Sequence, residues 1–315
     1  KVISELRELL TEPDDAIRNE AVNTLAVIAK KNIEVFAKLI ASKNLLEWES
    51  AVELLLRWES VANYDYIASS ALIHIKEIFE NMISIRELKK IPFTDAVEPL
   101  IHKLEDNNKI VMRAVFKIFS MKSDKNIINT LKIQLYNSDK HIRMNAIEML
   151  ENVADPKIVK ALIPLFEFSE QQEIIEAAKK IWKLEEVKYQ KTLIDLLYDN
   201  DYWVRACSAY IMGELSHNDF AEPLNNYLND YNRKLTELKS RGKSQSIKWQ
   251  DWISDNFLVC ENVRVALQNI ETLQKLLFEE DFIMPEKSDT LPIMERIIFL
   301  KKIPLFAQLE AEKLT

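Results

Sequence analysis

A short phrase returns along this chain at intervals of about 30 to 32 residues. It runs as an apolar helical stretch, a polar turn rich in Asp or Asn, Ile or Val, often Arg, two variable residues and a small one. Its clearest copies are Asp14-Asp15-Ala16-Ile17-Arg18…Ala21, Ser138-Asp139-Lys140-His141-Ile142-Arg143…Ala146 and Asn200-Asp201-Tyr202-Trp203-Val204-Arg205…Ser208. A fixed period of this length implies stacked two-helix units, because one helical hairpin alone cannot bury its apolar face. The spacing therefore predicts an all-α chain arranged as an α-solenoid, a superhelix of antiparallel helix pairs.

Glycine points the same way. Only Gly213 and Gly242 occur in 315 residues, where average usage is about 7%. Glycine supplies the tight turns and close backbone approach that phosphate-binding loops need. A chain with two of them holds no Rossmann fingerprint, P-loop or kinase-type glycine loop, and few hairpin turns of the β kind. The net charge of −8 argues against a nucleic-acid channel, where clustered Lys and Arg would neutralise phosphates. Arg86, Lys89 and Lys90, or Arg241, Lys243 and Lys248, lack interleaved aromatics and are expected to be solvated turns. Cys207 and Cys260 lie far apart and suit a reducing compartment. No run of eighteen apolar residues suggests a membrane span, and the chain opens into an amphipathic helix without a signal peptide or initiator Met, as a fragment of something longer would. A cytoplasmic location follows as the expectation, at most on the cytosolic face of a membrane protein.

The second helix of each unit keeps one apolar face. From Ile142 its positions are Ala146, Met149, Leu150 and Val153; from Val204, Ser208, Ile211, Met212 and Leu215; from Ile174, Ala178, Ile181 and Trp182. The small residues Ala21, Ala51, Ala114, Ala146, Ala178 and Ser208 mark where paired helices are expected to cross closely. One interval among them is 63 residues, twice the others, so residues 52–95 are expected to hold irregular or lengthened helices. Ile91-Pro92 should close that segment, since the residue before proline resists helix. Pro164 falls inside an apolar helix and should kink it. Past Leu215 the repeat fades into a helix over 220–240, a polar linker at 240–246 and a long helix from Lys248 to Leu277. The expected division is an array over 1–216, capping helices over 217–283 and a different ending over 284–315.

The repeated phrase resembles the HEAT-repeat family, over roughly residues 1–216. Two copies depart from it, with Ile110-Val111 and Ile174-Ile175 where Ile/Val-Arg is expected, and should lack the arginine contacts. The stretch Met294-Glu295-Arg296-Ile297-Ile298-Phe299-Leu300-Lys301-Lys302-Ile303-Pro304-Leu305-Phe306-Ala307-Gln308-Leu309 is similar to the helical lead-in of a cyclic-nucleotide-binding domain. Glu310 stands where that family has a capping Ser or Thr. The chain ends at Thr315, before any phosphate-binding cassette, so it is not expected to bind a cyclic nucleotide by itself. Both resemblances together, with residues 201–215, are similar to bacterial ADP/ATP-translocase-like proteins that carry a HEAT array before such a domain. What this implies is a cytosolic regulatory or coupling segment of a nucleotide transporter. A stand-alone adaptor binding a protein or peptide on its concave face is the alternative.

Candidate sites follow from these patterns. Arg18, Arg143 and Arg205, with Asp14, Asp139 and Asp201, are expected to form a structural ladder tying each turn to its own or the next unit. Tyr202 and Trp203 could anchor a partner, or Trp203 could pack inward with Tyr202 half exposed. Trp249 and Trp252, three apart on one helix face, could anchor a partner or cap the array. Pro304, Leu305 and Phe306 offer an apolar knob for docking the missing domain. His74, His102, His141 and His217 show no metal spacing and are expected at or near the surface. Acidic runs such as Glu185-Glu186 are expected to be solvated. No nucleophile–base arrangement is present, so the expectation is a protein-binding chain without catalytic residues, metal or cofactor.

Overall fold

Among the described residues, six helices begin behind an Asp or Asn that accepts hydrogen bonds from the first exposed backbone N–H groups, satisfying donors no helical carbonyl can reach. Asp14, Asn44, Asp124, Asp139, Asp155 and Asp201 are these caps, and Pro156 adds a pre-set φ at the first helical position after Asp155. The computed structural model describes residues 2–12, 14–28, 33–58, 64–92, 94–240, 247–278 and 293–301; side chains of 247–255 and 275–278, among a few others, lie outside the description. The described residues are all-helical, with no strand among them.

In chain order the helices are α1 (Val2–Glu8), α2 (Asp15–Ile28), α3 (Ile33–Ile40), α4 (Leu45–Arg57) and α5 (Tyr64–Leu88). Then come α6 (Thr94–Phe119), α7 (Lys125–Leu135), α8 (Lys140–Val153), α9 (Pro156–Glu167) and α10 (Gln171–Lys179). The last are α11 (Tyr189–Leu196), α12 (Tyr202–Leu215), α13 (Ala221–Ser240), α14 (Ile247–Phe278) and α15 (Ile293–Lys301). The segment expected to be irregular holds the whole of α5, a helix of 25 residues. Pro99 and Pro164 both lie within helices. The linker residues 241–246 lie outside the described residues.

Packing divides the chain into two compact units, Lys1–Ile83 with Glu105–Glu186, and Ser84–Leu104 with Val187–Thr315. These units cut across the ranges 1–216, 217–283 and 284–315, which follow motif and linker. In the first unit, α1 packs on α2, α3 on α4, α7 on α8 and α9 on α10, with α2 also against α4 and α8 against α9. Its core is built around Trp48, Phe79 and Phe119, all fully enclosed. Trp48 Nε1 donates to Ser70 Oγ at 2.9 Å, so the largest ring there buries no unsatisfied donor.

In the second unit, α11 packs on α12, α13 on α14, and α12 most extensively on α14. Gly213 of α12 lies beside Ala266 of α14, and further along Gln274 donates to Asn218 just beyond α12. Residue numbers rise together along the pair, so α12 and α14 run in the same direction. Where α5 turns into α6, Ile85, Leu88, Ile91, Val97, Leu100 and Leu104 are part of this unit's core with Leu193, Trp203 and Met212. Met294 and Ile297 of α15 are buried in it too.

The six marker residues, Ala21, Ala51, Ala114, Ala146, Ala178 and Ser208, are all buried. The one-face pattern needs correcting at the position seven after the Ile or Val. Met149 is 50% exposed and Ile181 37%, while Ile211 is enclosed. Helix α12 is buried almost all round, as Ala206, Cys207, Ala209 and Tyr210 also show. His74 is a second correction. It is a buried residue, its ring 4.4 Å from the Trp48 ring and its Nδ1 2.7 Å from Glu77 Oε2.

Candidate functional site

The turn from α7 to α8 is closed by side chains a few residues apart. Asp139 Oδ1 accepts from His141 N at 2.8 Å, and the Asp139 N–H donates to Asn137 Oδ1 at 2.8 Å. Arg143, four residues past the cap, turns back so that Nη1 donates to the carbonyls of Asn137 and Ser138, both at 2.9 Å. Nε donates to Phe166 O near the end of the next helix and Nη2 to Ser169 Oγ just beyond it, each at 3.2 Å. One guanidinium thus ties a turn to the end of α9. The planar fork of five donors is what makes this geometry possible, and a lysine would not reproduce it.

The turn from α11 to α12 repeats the device. Trp203 N donates to Asp201 Oδ1 and Asp201 N to Asp199 Oδ1, each at 2.8 Å. Arg205 Nη1 reaches Asp199 O at 2.8 Å and Asn200 O at 3.0 Å. The second Asp201 oxygen pairs with Lys103 Nζ at 3.1 Å within the same unit. Ahead of α2, Asp14 Oδ1 accepts from Ala16 N at 2.7 Å and Ile17 N at 3.3 Å, while Arg18 bonds Glu12 O and Asp15. Where Ile174-Ile175 replaces the Arg pair, Glu170 precedes α10 without a side-chain cap bond. Cap and arginine are therefore absent together in that copy.

Other expected residues are placed differently. Trp203 is among the largest fully enclosed side chains, so its ring belongs to the core and is not offered to a partner. Tyr202 is half-buried. Trp249 and Trp252 fall within α14, but their side chains lie outside the described residues, as do Pro304, Leu305 and Phe306 entirely. Cys207 and Cys260 are buried free thiols; burial pushes Cys260 up to about 11, against the pull of Arg264 and Arg205. Among the described residues no group of three His, Cys, Asp or Glu is placed to hold a metal ion. No described helix is long and apolar enough to cross a membrane.

No family model and no curated protein matches this chain.

Reading by sequence missed the charged centre of the first unit. Glu49 of α4 is buried, and Arg113 of α6 grips it through Nε at 2.6 Å and Nη2 at 2.7 Å. Lys117 Nζ lies 3.1 Å from both Glu49 and Glu53, and Arg57 bonds Glu53 at 3.3 Å. Burial alone would raise the Glu49 carboxyl; the Arg113 hydrogen bond and the charges of Lys117 and Arg113 outweigh it and hold the group below the usual carboxylate range. Arg113 is two residues past Val111, in the copy without the usual arginine. A lone Glu between Trp48 and Ser50 carries no periodic signal, so only the fold reveals its burial.

Several large apolar side chains of the first unit are exposed. Ile133 is 74% exposed and Tyr136 61% on or beside α7, and Met149 and Ile142 add to this on α8. Chemically the assembly positions helices and presents side chains.

Proposed function

We propose that this chain is a non-catalytic scaffold, an α-solenoid of stacked helical hairpins that presents a surface to protein partners. The observation that carries the reading is the same turn device at Arg18, Arg143 and Arg205, each guanidinium bonding the carbonyl six residues before it. Repetition of one turn geometry gives successive hairpins a similar relative placement, which is how such arrays generate long surfaces. Neighbour packing of α7 on α8, α8 on α9 and α9 on α10 is in keeping with this. Small-angle scattering tests the architecture: an extended profile is expected, and a globular one of the same mass would overturn the solenoid.

The lead-in phrase 294–309 extends the reading to the parent protein. There the chain is a cytosolic coupling segment of a nucleotide-transporter-like protein, next to a cyclic-nucleotide-sensing domain that partners it within the same polypeptide. Calorimetric titration with cyclic nucleotide should give binding to a chain extended past Thr315 and none to residues 1–315. Equal binding by both would sink the assignment of that ligand to the following domain. The exposed Ile133, Tyr136, Ile142 and Met149 favour a second reading, an adaptor for a separate protein. An upstream reading frame without apolar spans would favour the adaptor over the transporter.

A further inference from the structure

We draw no further inference here: the strongest candidate, the polar cluster of Arg205, Tyr227, Cys260 and Arg264 where α12, α13 and α14 meet, carries nothing because only the displaced titration of its thiol and phenol ties the two guanidinium groups together.

Discussion

Asp201 presents one carboxylate oxygen to the Trp203 N–H and the other to Lys103 Nζ, and two substitutions separate these roles. Asp201→Asn keeps an acceptor for the helix but removes the charge. It should lower stability by at most about 1 kcal/mol, the range for a partly exposed ion pair. Asp201→Ala removes the cap as well and should lose about 1 kcal/mol more. Urea unfolding of the two variants measures both steps; equal losses would mean the cap contributes nothing. Glu49 is the more demanding residue, since its charge is buried and answered by Arg113 and Lys117. Glu49→Gln should cost about 1.5–3 kcal/mol at neutral pH, the range for hydrogen bonds to charged groups. Its folded pKa is depressed, so the carboxylate's contribution is complete above the unfolded value, about 4.3. It is lost as pH falls through the lower folded value. Thermal melts should therefore show wild type and Glu49→Gln converging below about pH 4, and a gap that stays constant to pH 3 would contradict the burial argument.

Between elements, α12 and α14 approach each other closely at Gly213. A Cβ built there would stand 2.9 Å from Ala266 Cα and 3.0 Å from Ala266 Cβ. Backbone cannot swing aside as a long side chain can, so α12 and α14 would have to separate. Gly213→Ala should gain up to about 1 kcal/mol in helix propensity and lose roughly 1–3 kcal/mol to overpacking. A net loss is expected, with partial rescue by Ala266→Gly, both read from denaturant midpoints. This contact also marks the limit of what a sequence can show. An Asp cap and an Arg four residues on act within one turn, so a short stretch carries their meaning. The near absence of glycine and a 3.6-residue period likewise point to helices without knowledge of neighbours. Whether Met149 and Ile211, at equivalent positions, face water or core depends on how each helix is surrounded, and α12 is buried almost all round while α8 is not. Glu49 shows the same limit, because its partner Arg113 is 64 residues away and a charge on a helix reads as solvated until that helix is placed.

At the scale of the molecule, the second unit takes residues from two separate parts of the chain. Leu100 is fully buried in a core otherwise supplied largely by residues after Val187. Leu100→Ala should cost about 2–5 kcal/mol, as large-to-small changes in cores do. Its effect should appear in hydrogen exchange of α11 and α12 amides, although the substitution lies far upstream of them. Faster exchange confined to α6 would overturn that packing. A fragment beginning at Val187 should by the same logic fold cooperatively only when a peptide covering Ser84–Leu104 is supplied, which circular dichroism melts would report.

The split origin of that core has a consequence in time. A ribosome adding about 5–20 residues per second releases Leu88, Ile91 and Leu100 well before Leu193 and Trp203 exist. About 80 residues separate Leu104 from Val187, so the wait is roughly 4 to 16 s at those rates. For that interval a nascent hairpin tip holds apolar side chains whose eventual neighbours are still untranslated. The same leucines that complete the finished core are thus, during synthesis, the surface on which a chaperone would act.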